Sequence, residues 1–94
     1  MSIGKKPVKN PTIVLREEFD NWAILYNPDT SDAIGINPVG ISIWKMIDGT
    51  RDVTDFEEEI KRNFRQVPAS ISSDIESFLN ELEKKRYIKQ HFGE

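Results

Sequence analysis

The one histidine, His91, lies three residues before the C-terminal Glu94, and no cysteine occurs in the 94 residues. A protein-held transition metal normally takes several His, Cys or carboxylate ligands converging on one point. A lone imidazole beside a chain end is described by a solvated tail instead. Ser70, Ser72 and Ser73 cluster ahead of an apolar run, but a serine becomes a nucleophile only when a base takes its proton, and no histidine is near. They suit helix capping. Glu57, Glu58 and Glu59 form an acidic run without a basic counterpart cluster, the pattern of a solvated helix face. Gly35, Gly40 and Gly49 are too widely spaced for a loop that cradles phosphate. The chain is expected to work without a metal, a cofactor or catalysis of its own.

Two stretches could bind rather than react. In Asp32–Asn37, Ala33 and Gly35 leave one side of a short strand almost bare. Glycine within a strand often marks the close approach of another backbone, and an unpaired edge is a template for an added strand. The same small residues would equally serve to tighten a weak strand against its own helix. The second stretch follows Ser70, where an apolar stripe is flanked by Asp74, Glu81 and Lys85 on one side and Glu76, Glu83 and Arg86 on the other. An amphipathic core helix accounts for the stripe; a flank of it is available to a partner.

These stretches must be positioned by the segment from Ile34 to Gly49, where a strand turns directly into a helix. Ile34 and Ile36 alternate around Gly35 with strand period. Asn37 reads as an N-cap and Pro38 as the first helical residue, where its missing donor costs nothing. Gly40, Ile43, Trp44 and Ile47 fall on one helical face, with Trp44 the expected centre of the core. Asp48-Gly49 is the expected helix end, Gly49 serving as a left-handed cap.

Upstream, residues 1–11 read as a flexible tail, Thr12–Phe19 as a first strand, Asp20-Asn21 as a turn and Trp22–Asn27 as a second strand. Trp22, Ile24 and Tyr26 share one face of that strand, Ala23 and Leu25 the other. Pro28–Ser31 is a turn cluster, so the three strands form an antiparallel meander. Downstream, Asp52 caps a helix striped by Phe56, Ile60 and Phe64, with Asp55 completing an approximate capping box. Val67-Pro68 ends it. Ser70 opens a third helix carrying Ile71, Ile75, Phe78, Leu79 and Leu82 on one face. Tyr87 and Ile88 fold back onto the core, and the last residues fray. The prediction is an α+β fold in the order βββααα, one domain over residues 12–90.

Charged residues make up 31% of the chain and the net charge is −3. Binding a phosphate backbone usually calls for a basic face, so nucleic acid is not the expected partner. No segment approaches the roughly 20 apolar residues of a membrane span. The basic, polar start lacks the apolar core of a signal peptide. A soluble cytoplasmic domain is expected, with no membrane partner.

The order Ile36-Asn37, Ile41-x-Ile43-Trp44, Asp48-Gly49, Asp52-Val53 and Phe78-Leu79 resembles the pyrroloquinoline quinone biosynthesis protein D family, over about residues 13 to 88. Asp52 stands where that family usually has threonine, and Ile41 where it has a small residue. Arg86-Tyr87-Ile88 lacks the glycine common before the final apolar pair, a departure that bears on the C-terminal packing. The resemblance implies a winged-helix-like domain of the kind called a RiPP recognition element, which binds the leader of a ribosomally made precursor peptide. It further implies presentation of that leader to a modifying enzyme, often a radical-SAM maturase. The leader would pair with Ala33, Ile34, Gly35 and Ile36 and rest against Asp74, Phe78, Glu81 and Lys85. That flank is preferred because Phe78 offers an apolar neighbour. The competing class is a winged-helix DNA-binding regulator, in which Asp74, Glu76, Glu81 and Glu83 would meet phosphates with like charge.

Overall fold

The computed structural model describes residues 5–19 and 21–92. In chain order the elements are β1 (Lys5–Lys9), β2 (Val14–Phe19), β3 (Trp22–Asn27), β4 (Asp32–Ile36), α1 (Pro38–Met46), α2 (Val53–Asn63), α3 (Ile71–Lys84) and β5 (Ile88–Phe92). The predicted antiparallel meander is β2–β3–β4, and three helices follow it, giving the expected α+β fold. Ala23 pairs with Ile36 and Leu25 with Ile34. Ala23 and Leu25 are wholly buried, so the sheet turns this face toward the helices and its aromatic face outward.

Asn37 caps α1 as its side chain predicts, its Oδ1 accepting from the Gly40 N–H at 2.9 Å, with Pro38 at the helix start. Gly40, Ile43 and Trp44 are buried along one face, and Ile47 just beyond it is buried too. The helix stops at Met46, earlier than Asp48-Gly49. Gly49 does take a left-handed φ of 86°, but within the α1–α2 turn rather than at the cap. In α2, Asp52 and Asp55 form a reciprocal capping box, each carboxylate accepting from the other's backbone N–H at 3.1 Å. Aspartate therefore does here what glutamate more often does. Ser70 precedes α3 but does not cap its backbone. Its hydroxyl donates to Asp74 instead, at 3.1 Å.

The two ends of the chain depart from expectation. Residues 5–9, predicted as part of a tail, form β1, and residues 88–92, predicted to fray, form β5; the two pair antiparallel from Lys5–Phe92 to Lys9–Ile88. His91 thus belongs to a strand, opposite Lys6. The physical reason is tertiary. Pro7 is buried, its carbonyl accepts from the Gly49 N–H at 2.9 Å, and Asn10 N–H donates to Tyr87 O at the same distance. A lysine-rich segment with a proline has little strand propensity of its own and is ordered by those contacts. Residues 1–4 of the predicted tail, and Asp20 of the predicted turn, lie outside the described residues.

The turn from α3 into β5 resolves the missing glycine. Tyr87 N–H donates to Leu82 O and Arg86 N–H to Glu83 O, both at 2.9 Å, which is a Schellman closure. Its left-handed residue is Arg86, at φ 64°. A side chain there strains the backbone by about 1–2 kcal/mol, whereas glycine adds about 0.5–1 kcal/mol of unfolded-state entropy. Arg86→Gly is therefore expected to stabilise the fold by about 0.5–1 kcal/mol, raising the melting midpoint by a few degrees. A calorimetric midpoint unchanged or lowered would contradict the strain.

Candidate functional site

β4 pairs with β3 and, among the described residues, with nothing on its other side. Its hairpin is fixed from within. Asn27 Oδ1 accepts from Asp29 N–H at 2.9 Å, Asn27 O from Ser31 N–H at 2.8 Å, and Thr30 Oγ1 from Asp32 N–H at 3.2 Å. Ile34 and Ile36 point toward the core, while Ala33 and Gly35 are exposed on the outer face. Gly35 does not serve to tighten the strand against its own helix. A β-carbon built on it would lie 3.6 Å from the ring of Trp22, which is 54% exposed and covers it from the neighbouring strand.

α3 borders the open edge. Asp74, Phe78, Glu81 and Lys85 recur at helical spacing of three and four and so share one flank. At one end of that flank, Asp74 and Phe78 line a cavity of about 360 Å³ together with Asn37, Val39, Gly40 and Ile71. Gly40 keeps it open: a β-carbon there would stand 3.4 Å from the Phe78 ring and 3.1 Å from Ile36. At the other end, Lys85 Nζ lies 3.4 Å from Asp32 Oδ2, and the Tyr87 hydroxyl donates to the same oxygen at 3.1 Å. The helix thus runs beside the strand from Asp32 to the residues that follow Ile36, with the exposed Glu81 between.

Asp32 is the electrostatic anchor of that end. The Tyr87 hydroxyl, and secondarily Lys85, hold its carboxyl below the usual carboxylate range. Burial, with help from Asp32, pushes the Tyr87 phenol up to about 12. A phenol with a raised pKa stabilises the fold fully below its unfolded value near 10 and loses that contribution as pH climbs through about 12. The wild-type melting midpoint is expected to fall more steeply than that of Tyr87→Phe between those two pH values. Parallel curves would mean that the phenol titrates alike in the folded and unfolded chain.

All eight predicted site residues lie along this edge or this flank. Sequence reasoning missed Asp32 and Tyr87, and also Gly40 and Asn37, which shape the cavity mouth. A signal existed for Gly40: a glycine in the first turn of a helix, on its apolar face. The link from Asp32 to Lys85 spans 53 residues of sequence and had none. Among the described residues, no group of three or more His, Cys, Asp or Glu is placed to hold a metal ion.

The family model described as Coenzyme PQQ synthesis protein D (PqqD) matches residues 23–88, well over half of the chain. The chain belongs to the PqqD family. The PqqD match begins within β3 and closes at the first residue of β5, so it contains the open edge and the whole of α3. Among solved structures, TbiB1 in complex with the TbiA(beta) leader peptide has the same fold, with a TM-score of 0.69 at 18% identity over 87% of this chain and 94% of that one. The heterocyclase TruD matches with a TM-score of 0.60 at 15% identity over 92% of this chain, which spans only 11% of TruD. No curated protein sequence matches.

Proposed function

We propose that this PqqD-family chain is a RiPP recognition element. It binds the leader of a ribosomally made precursor peptide as an added strand on β4 and presents it to a modifying enzyme, without catalysis of its own. The observation that carries this reading is the open β4 edge running beside the Asp74–Lys85 flank of α3, with an apolar cavity at one end. Main-chain pairing supplies affinity and the cavity supplies selectivity. The family match supports it, as does the similarity in fold to TbiB1, a protein seen with a leader peptide bound. A radical-SAM maturase in the cytoplasm is the enzyme we propose as recipient. DNA binding is disfavoured by the acidic face of α3, where Glu76, Glu81 and Glu83 are all exposed.

Titrating labelled leader peptide, taken from a short reading frame neighbouring the gene, tests the proposal through backbone amide shifts. Perturbations are expected at 33–36 and 74–85. Shifts confined to α2 or β2 would place the site elsewhere. Lys85→Glu sets two carboxylates together at the Asp32 end, and is expected to change both the affinity and its salt dependence.

A further inference from the structure

We infer that the cavity between α1 and α3 selects a basic residue of the leader, an arginine or lysine whose alkyl stem fills the cavity and whose charged head meets Asp74. This rests on the reading of β4 as the edge that takes the leader, and adds the class of side chain recognised there. The cavity opens beside the last residue of β4, where a β-carbon on Gly40 would stand 3.1 Å from Ile36 and 3.4 Å from the Phe78 ring. A strand added to β4 and running on past Ile36 brings a side chain to that mouth.

The lining is of two kinds. Val39, Ile43, Ile71, Ile75 and Phe78 are apolar, and Asp74 is the one charged residue on the wall. Asp74 is exposed and, among the described residues, forms no ion pair. Its Oδ2 accepts from the Ser70 hydroxyl at 3.1 Å, which occupies one of about four acceptor sites on a carboxylate. Further along the same flank, Glu81 is exposed and likewise without an ion pair among the described residues. The flank's cation, Lys85, is engaged by Asp32. The flank therefore presents unmatched negative charge, and at the cavity that charge stands beside apolar walls.

A peptide laid across this mouth takes Asp74 out of water. With leucine in the cavity, the carboxylate would lose hydration and receive nothing in return. Glutamate would add like charge. The stem of arginine or lysine lies against apolar walls as leucine does, and its head restores the hydrogen bonds the carboxylate gives up. Asp74 sits in the first turn of α3, where the helix dipole opposes a cation. That dipole amounts to roughly half a positive charge, against the full negative charge of the carboxylate. An acid in a first turn also steadies its helix, so the test must read selectivity rather than stability.

The test is amide-shift titration of the whole chain with short capped peptides that alternate valine and serine and carry arginine, methionine or glutamate at the centre. Shifts at 33–36 report strand addition for each. The arginine peptide is expected to bind about ten-fold tighter than the methionine peptide, with the glutamate peptide weakest. That advantage should shrink as salt rises and fall close to unity in Asp74→Asn, whose amide oxygen still accepts from Ser70. Thermal melts establish that the variant folds; should it not, the salt series on the wild type decides. Shifts at 33–36 without a preference for arginine, or a preference that salt and Asp74→Asn leave intact, would overturn the inference and leave the β4 reading standing. No binding by the arginine peptide would overturn it as well, and the leader titration then decides the β4 reading separately.

Discussion

Trp44→Ala is expected to remove about 3–5 kcal/mol of folding free energy. Domains of this size hold about 5–15 kcal/mol in total, so the variant should sit near the unfolding threshold at ambient temperature. Trp44 is only 4% exposed, on the α1 face that packs over the sheet, and its ring also carries the Lys9 ammonium. Truncation leaves a cavity in a close-packed core, whose other members include the wholly buried Phe56 and Leu25, and such a core can only partly collapse to fill it. Losing the cation above the ring is the lesser effect: Lys9→Ala should cost about 0.5–1 kcal/mol. Chemical denaturation of both variants separates the two terms. A Trp44→Ala midpoint equal to that of wild type would remove Trp44 from the core.

Gly35→Pro is the second large effect, and it is read in binding. Proline removes a backbone donor and disrupts the ladder of β4. Two main-chain bonds to an added strand, at about 1–1.5 kcal/mol each, correspond to roughly a hundred-fold loss of affinity for the leader peptide. Gly35→Ala is the control. A β-carbon there meets the Trp22 ring at an ordinary 3.6 Å, so fold and affinity should both survive. Calorimetric titration of the three proteins, with melts to establish folding, decides it. Undiminished binding by a folded Gly35→Pro chain would move the peptide off this edge.

How much of this was legible beforehand depended on distance along the chain. The Asn37 cap, Pro38 and the Gly40–Ile43–Trp44–Ile47 face are local, and each was readable from spacing. So were the α3 stripe and the flank carrying Asp74, Phe78, Glu81 and Lys85. β1 and β5 were not, because Lys5–Lys9 and Ile88–Phe92 have no alternation to announce a strand and are held by partners at the opposite end of the chain. The role of Gly35 was half legible. Its bareness was evident, but the ring of Trp22 that covers it comes from a strand whose outward face only the packed sheet reveals.

The pairing of Lys5 with Phe92 has a consequence for how such a unit can be wired into something larger. Paired antiparallel strands hold facing α-carbons only about 5 Å apart, so entry and exit of the described chain sit side by side. Both lie on the ribbon, in a sheet separate from the open edge of β4. A host protein could carry this domain as an insertion in a surface loop, both connections leaving by one doorway, without burying the edge. By the same geometry, a short linker from Phe92 to Lys5 with new ends cut at the exposed Pro28–Thr30 turn gives a circular permutant that should keep every strand pairing described.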